Sequence, residues 1–337
     1  MEKHISVIIP NYNRSTTIGK CLEAVFSSQY KNFEIIVVDD CSTDSSVEII
    51  KRFPCRLIQL DKHSGAAKAR NAGADNSTGE ILFFIDSDCL AQKNTLSTVN
   101  SAMSEHSGDY TIVGGTYTTA PFDDTFFSTF QSIFVNFFET KRKEPDYIAA
   151  HAMAISAYYF KSSGGFREQI LPMLEDVEFS HQLRENGCKL VINPEILVQH
   201  IFNFSLAKSL RNALKKSMYW TIYSLNNKDL LADSGTASAE LKINGMSHLL
   251  SMLILCLSLI SVNFTFLWLI IMIFAVNLFI NKGLLLAFYR IKGLPFTIIA
   301  ILYYTTLYPM AIWVGTVAGV IKSAKYLKNY KPQRRYG

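Results

Sequence analysis

Four short apolar runs punctuate the first ninety residues, and between them the periodicity switches to that of helices. Residues 5–10 (ISVIIP), 33–38 (FEIIVV), 56–60 (RLIQL) and 80–85 (EILFFI) are rich in β-branched and aromatic side chains and read as strands, mostly buried. Residues 15–28 carry apolar positions at Ile18, Cys21, Leu22, Val25 and Phe26, with Ser15 as the expected N-cap. Residues 42–53 and 66–75 read as the next two helices. Strand and helix that alternate from the start predict an α/β fold, a Rossmann-like and mostly parallel sheet with right-handed crossovers. Further along, a helix is expected over 94–107, a strand over 111–117 with Gly114 and Gly115, a helix over 174–187, and strands over 189–192 and 196–200.

The second half has a different composition. Apolar residues make up 49% of the 337-residue chain and charged residues 18%, but the long apolar runs fall after residue 246. Residues 247–280 hold no Asp, Glu, Lys or Arg, more than the roughly 20 residues one membrane crossing needs. They make either one tilted, broken span or two short segments hinged near 261–265. Residues 294–321 make a further span, with Pro309 as the expected kink. Before them, 204–225 combines Leu206, Leu210, Leu214, Met218 and Trp220 with Lys208, Arg211, Lys215 and Lys216, the pattern of a basic amphipathic helix lying in a headgroup layer or packed on the head domain.

The expected domains are therefore a catalytic domain at 1–203, an interfacial helix and linker at 204–246, transmembrane helices at 247–321 and a basic tail at 322–337. Lys322, Lys325, Lys328, Lys331, Arg334 and Arg335 crowd that tail, which marks the cytoplasmic side of a membrane. Two crossings return the tail to the cytosol and three place it outside; the positive-inside rule favours two. The N-terminus MEKHISVIIPNYN shows no cleavage site, so no signal peptide is expected and the head should stay cytosolic. Six cysteines without CxxC spacing fit reduced thiols. A net charge of +5 without any nucleic-acid-binding module argues against nucleic acid as a partner.

In parallel sheets the ligand crevice lies at the carboxyl ends of the strands, where Asn11, Asp39, Asp40 and Asp86 fall. Asp86-Ser87-Asp88 follows an apolar strand, and two carboxylates one residue apart can face a single divalent cation that neutralises a bound diphosphate. Asp39 and Asp40 suit the base and ribose of a nucleotide, or simply cap the next helix. Lys68 and Arg70, in GAAKARNAG, reach a phosphate or base, or else form an exposed charged face.

The segments VIIPNYNR, VVDDCSTDSS, GAAKARNAG, FFIDSDCL and LPMLEDVEFSHQLRENG, in that order across residues 4–201, resemble the family-2 glycosyltransferases of the GT-A fold. The resemblance implies that Pro10, Asn11 and Asp39 line the base and ribose, that Asp88 ligates Mg2+ or Mn2+, and that Asp86 contacts ribose or the metal's water shell. It also makes Glu175 and Asp176 the catalytic pair, Asp176 as general base and Glu175 positioning the acceptor; the other reading is an acidic first helical turn favoured by the macrodipole. His200 closes a strand where a metal- or phosphate-binding histidine is expected, though a lone histidine is more often structural. Gly164 and Gly165 would let the chain approach an acceptor, and Arg184 meets the diphosphate or forms a surface ion pair. Residues 121–148, rich in Phe and charge, match nothing in the family pattern, and acceptor choice is expected there.

The expected reaction is inverting transfer of a hexose-type unit from a nucleotide diphosphate sugar to a lipid-linked or glycan acceptor at the cytoplasmic membrane face, in cell-envelope polysaccharide synthesis. Its rivals are a polyprenyl-phosphate glycosyl synthase, whose anionic acceptor needs no base, and a non-catalytic nucleotide-sugar-binding membrane scaffold. A nucleotidyltransferase of similar sheet topology is a more distant third.

Overall fold

Strands covered on both faces need no polar alternation, and three of the four runs follow that rule, the third being a partly exposed edge strand. β1 (Ile5–Asn11), β2 (Phe33–Asp39), β3 (Arg56–Gln59) and β4 (Ile81–Ile85) match them to within one residue at either end. They lie parallel in the order β3-β2-β1-β4. The computed structural model describes residues 2–168 and 171–329.

The connecting helices are α1 (Ile18–Phe26), α2 (Ser46–Ile50) and α3 (Ala66–Asp75), the last with the expected bounds. Two expectations need correction. Ser15 does not cap α1: its backbone N–H donates to Asp44 Oδ2, and the capping position belongs to Thr17. The helix expected over 42–53 is only five residues long. Residues 42–44 are held in the preceding loop, with Ser42 N donating to Asp39 Oδ2 and Thr43 N to Asn13 Oδ1, so winding begins only at Ser46.

After β4 come β5 (Cys89–Ala91), α4 (Thr95–Glu105), β6 (Thr111–Tyr117), α5 (Phe126–Thr140), β7 (Ala152–Ser156), α6 (Ala157–Ser162), α7 (Glu175–Glu185) and β8 (Lys189–His200). β7 runs antiparallel between β4 and β6, β6 pairs parallel with β8, and β5 closes the eight-stranded sheet antiparallel to β8. The α/β expectation of a mostly parallel sheet holds, four of the seven ladders among the described residues being parallel, with the antiparallel ones made by β7 and β5. Pro194 does not split β8 in two. The register slips from Gly114↔Ile192 to Thr116↔Leu197, which absorbs the extra residues opposite Gly115. A Cβ on Gly115 would sit 2.2 Å from the Ile196 carbonyl oxygen, so only glycine admits this bulge. Phe84, Phe160, Phe166 and Phe179 pack at centroid separations of 4.5–5.5 Å and fasten α6, α7 and their loop to the sheet.

By internal contacts the chain forms two units, Met1–Asp124 with Phe138–Asn203 and Thr125–Phe137 with Phe204–Gly337. The first holds the whole sheet. The second holds the front of α5, α8 (Leu206–Asn227), α9 (Ala239–Ile260), a 3-10 turn at Phe264–Phe266, α10 (Leu267–Ile280), α11 (Lys282–Thr305) and α12 (Leu307–Asn329). Phe130 of α5 lies 5.2 Å from the Phe288 ring and 5.0 Å from Tyr303. The phenylalanine-rich segment 121–148 thus contains a helix, α5, whose first part packs in this second unit.

The buried side of α8 faces α12 across Gly315 and Gly319. A Cβ on these glycines would lie 2.3 Å from the Leu214 carbonyl oxygen and 2.6 Å from that of Met218. This is close backbone contact through a GxxxG spacing. The charge-free stretch is two helices broken at residues 261–263, not one continuous span. Pro309 does not kink the next segment: it sits in the first turn of α12, where a missing N–H costs nothing, and the breaks fall at Gly293 (φ 76°) and Thr306. Ala239–Ile260 and the bent stretch Lys282–Ala324 are long and apolar enough to cross a membrane. Within this apolar unit Asn244, Asn277, Asn281 and Tyr304 form one buried hydrogen-bonded chain, in which Asn277 Nδ2 donates to Asn244 Oδ1 at 2.8 Å and the Tyr304 hydroxyl to Asn281 Oδ1 at 2.9 Å. Of the basic tail, Lys331, Arg334 and Arg335 lie outside the described residues.

Candidate active site

The parallel register places Asn11 opposite Asp39 at the carboxyl ends of β1 and β2, one residue after Pro10. Asn11 Nδ2 donates to Asp39 Oδ1 at 2.8 Å, both residues being buried. Asn11 Oδ1 is also buried and has no hydrogen-bond partner among the described residues. A buried acceptor left open costs about 1–3 kcal/mol, so it marks where a ligand's N–H or O–H would be welcome. Next to Asn11, Tyr12 stacks on His63 with centroids 4.0 Å apart and keeps 41% of its surface exposed.

Asp40 is engaged elsewhere. Its oxygens accept the backbone N–H groups of Ser64 and Gly65 at 2.7 and 2.8 Å and face His63 Nδ1 at 2.8 Å, so it shapes the loop before α3. The two basic groups of α3 are both ion-paired. Lys68, half exposed, pairs with Glu168 at 3.3 Å. Arg70, 4% exposed, donates from Nη2 to Asp86 Oδ1 at 2.7 Å and from Nη1 to Glu175 Oε1 at 2.6 Å. It joins the end of β4 to the start of α7.

That ion cluster sets the protonation of its members. Burial acts most strongly and raises the Asp86 carboxyl, but the Arg70 guanidinium, His151 and His200 together hold the group below its ordinary value. Glu175 is raised by its own burial, with Arg70 opposing and neighbouring Asp176 adding repulsion. Asp176 accepts Ala150 N with Oδ2 at 3.0 Å and Val177 N with Oδ1 at 2.9 Å. Leu174, immediately before the acid pair, adopts left-handed backbone (φ 75°, ψ 20°), a strain of order 1–3 kcal/mol that turns the chain into α7. Gly164 and Gly165 also have positive φ, but Gly165 abuts Asn71, whose amide bonds both the N–H and the carbonyl of Phe166. These glycines let the loop close on α3. Arg184 occupies the last turn of α7.

Across the sheet, the β5–β8 ladder pairs Cys89 with His200 and so brings that imidazole to Asp88. His200 Nε2 lies 3.5 Å from Asp88 Oδ1, and Arg14 Nε lies 3.5 Å from Asp88 Oδ2. Asp88, Cys89 and His200 have ligand atoms within 4.8 Å of one another. Burial, with Asp88 and Asp86 adding, pushes the Cys89 thiol well up, so it stays protonated at neutral pH. A carboxylate and an imidazole are left, a donor set that fits a divalent cation such as Mn2+ or Mg2+. Asp86 is absent from that cluster, its Oδ1 being held by Arg70.

Several residues escaped the sequence reading. Arg14 sits inside the quoted VIIPNYNR motif without an assigned role. His151 and Glu139 carried no local signal at all. His151 is buried 3.4 Å from Glu139, which also accepts the Thr116 hydroxyl at 2.7 Å, and its ring stacks on Tyr117 at 4.1 Å. Burial acts most strongly and lowers the imidazole, but Glu139, Asp86 and Asp176 together outweigh it, and the group is raised. The stabilisation from a raised histidine is complete below its unfolded value of about 6.5 and is lost as pH climbs through the folded value. Glu139→Gln should therefore lower the melting temperature most near about pH 6 and progressively less toward about pH 9. A deficit independent of pH would remove His151 from the account.

A parallel half-sheet with acids at its carboxyl edge, and an aspartate–histidine pair set across the adjoining ladder, define an α/β protein of the GT-A fold. Residues 6–163, just under half of the chain, match the family model described as Glycosyl transferase family 2. Glycosyltransferase GlyG of Streptococcus pneumoniae serotype 4 is 33% identical over 132 residues, 38% of this chain and 44% of that protein. The poly(ribitol-phosphate) beta-N-acetylglucosaminyltransferase TarS of Staphylococcus aureus is 34% identical over 115 residues, 32% of this chain and 20% of that protein. The chain spans less than half the length of these curated relatives. Among solved structures, mannosyltransferase PcManGT from Pyrobaculum calidifontis, in complex with GDP-Man and Mn2+, superposes with a TM-score of 0.57 at 16% identity, over 98% of this chain and 89% of that one, a likeness of fold.

Proposed function

We propose that the protein transfers a sugar, with inversion, from a nucleotide diphosphate sugar to an acceptor hydroxyl presented at a membrane. The observation that carries this reading is Arg70, which ties the Asp86 end of the acidic triplet to Glu175 and so gathers acids distant in sequence around one cleft. In this scheme Asn11 and Asp39 hold base and ribose beside the Tyr12–His63 stack. Asp88 and His200 would hold Mn2+ or Mg2+, which when bound offsets the charge of the leaving diphosphate. Asp176 takes the acceptor's proton as the acceptor oxygen bonds the anomeric carbon from the face opposite the departing diphosphate. Glu175, held by Arg70, positions the acceptor. Single displacement then converts an α-linked donor into a β-linked product.

The membrane part of the proposal rests on the outer surfaces of α9 to α12. Trp268 is 72% exposed and Ile260 81%, and exposed apolar neighbours continue that surface along all four helices, the kind of patch that marks a membrane or partner surface. A bilayer covers such a surface, with the catalytic unit on its cytoplasmic side. TarS, named as a transferase onto poly(ribitol-phosphate), supports an envelope polymer or its lipid-linked precursor as the acceptor class.

The test is a melting panel of nucleotide sugars on the full-length chain in detergent, with Mn2+, Mg2+ or a chelator. A cognate donor at about 100 times its Kd should stabilise the protein by about 2.7 kcal/mol, and chelation should abolish the effect. His200→Ala should raise the metal concentration for half-maximal response at least about tenfold. Stabilisation by no nucleotide sugar under any metal condition would overturn the proposal.

A further inference from the structure

We propose that the helical unit carries a built site for one anionic phospholipid of the surrounding bilayer, between α8, α9 and α12. It rests on the reading of α9 to α12 as bilayer helices. A cavity of about 290 Å3 lies among these elements. Phe134, Trp220, Met246 and Trp313 contribute to an apolar wall, two lysines line it, Lys216 and Lys242, and no acidic side chain does. Lys216 has no ion-pair partner among the described residues. Lys216 is partly buried, and an ammonium group beside an apolar cavity is matched when an anion meets it.

A phospholipid with net negative charge supplies both halves of what this cavity asks for. Its phosphate meets Lys216, and an acyl chain fills the apolar wall. The neighbouring turn extends that wall with Leu230 and Leu231, and the second of these is 87% exposed. Lys242 Nζ donates to the Ala232 carbonyl and fixes this turn beside α9. A soluble anion would leave the wall uncovered, and a neutral lipid would leave Lys216 unmatched. Basic pockets between membrane helices select anionic headgroups on these grounds.

The test titrates the full-length chain in detergent with phosphatidylglycerol or phosphatidylcholine of equal chain length and reads bound lipid by native mass spectrometry. Wild type should retain one phosphatidylglycerol about tenfold more tightly than phosphatidylcholine, and Lys216→Ala should weaken phosphatidylglycerol about fivefold. Lys215→Ala, exposed on the same helix and away from the cavity, should change nothing. Gly245→Leu should expel both lipids: Gly245 lines the cavity, and a Cβ there meets only the Trp313 indole nitrogen at 3.7 Å, so the larger side chain starts without a clash and takes up cavity space. Equal retention of the two lipids, an equal loss in Lys215→Ala, or displacement of phosphatidylglycerol by substoichiometric polyprenyl phosphate would each overturn the site. Failure of the protein to insert into vesicles of either lipid would instead overturn the membrane reading beneath it.

Discussion

Asp176→Asn should slow sugar transfer to a hydroxyl acceptor by about 10^2- to 10^4-fold, the usual contribution of a positioned general base, while the donor still binds. The geometry explains why this variant is informative. Each oxygen of Asp176 already accepts one backbone N–H, from Ala150 and from Val177, which fixes the carboxylate at the start of α7 and leaves further lone pairs for an incoming proton. An asparagine keeps the shape but presents its amide to one of those N–H groups, at a stability cost of about 1–3 kcal/mol. Donor-induced stabilisation must therefore be measured alongside turnover, since a folded, donor-binding and inactive variant isolates the proton transfer. Activity that survives the substitution with a polyprenyl phosphate as acceptor would move the chain to the synthase class, where the attacking oxygen is already an anion. Near-normal rates with a hydroxyl acceptor would remove Asp176 as the base.

The parts of this molecule that could be read in the sequence are those fixed by local periodicity. A parallel strand buried on both faces is a continuous apolar run, so β1, β2 and β4 showed themselves, and the acids at their ends followed. β5 is three residues long, too short for any period, yet it is the ladder that carries His200 to Asp88. α5 escaped because its apolar face serves the second unit, so its pattern fits neither a surface helix nor a strand. The ion pairs of Arg70 are hidden for a different reason. An arginine on a short helix normally marks a solvated face or a ligand contact, and nothing nearby in the chain reveals that its two partners arrive from β4 and α7. The contacts of Asp40 are hidden in the same way, because the loop N–H groups it accepts belong to Ser64 and Gly65. Pairwise long-range satisfaction of buried charge is decided by tertiary structure, and local pattern cannot show it.

Arg70→Met should destabilise the protein by about 3–5 kcal/mol, because it leaves two carboxylates facing each other without their shared cation. Arg70 is buried, its side chain 5% exposed, and Glu175 beside it is 14% exposed, so water can replace little of what the guanidinium supplies. Methionine preserves much of the stem volume, which makes the loss electrostatic more than steric. The signs at low pH separate the two acids. The depressed Asp86 contributes stability that is present above its unfolded value of about 3.9 and disappears as pH falls through the lower folded value. The raised Glu175 works oppositely, since its ionisation costs stability as pH rises through the folded value. Without Arg70 both carboxyls should take up protons at higher pH, so the variant's deficit should shrink on acidification from about pH 7 to about pH 5. Combining Arg70→Met with Asp86→Asn and Glu175→Gln should recover most of the lost stability, measured as melting temperature of the full chain in detergent. A triple variant no more stable than Arg70→Met alone would show that the arginine matters by filling space, and the cleft would then lack the charge cluster on which the catalytic reading depends.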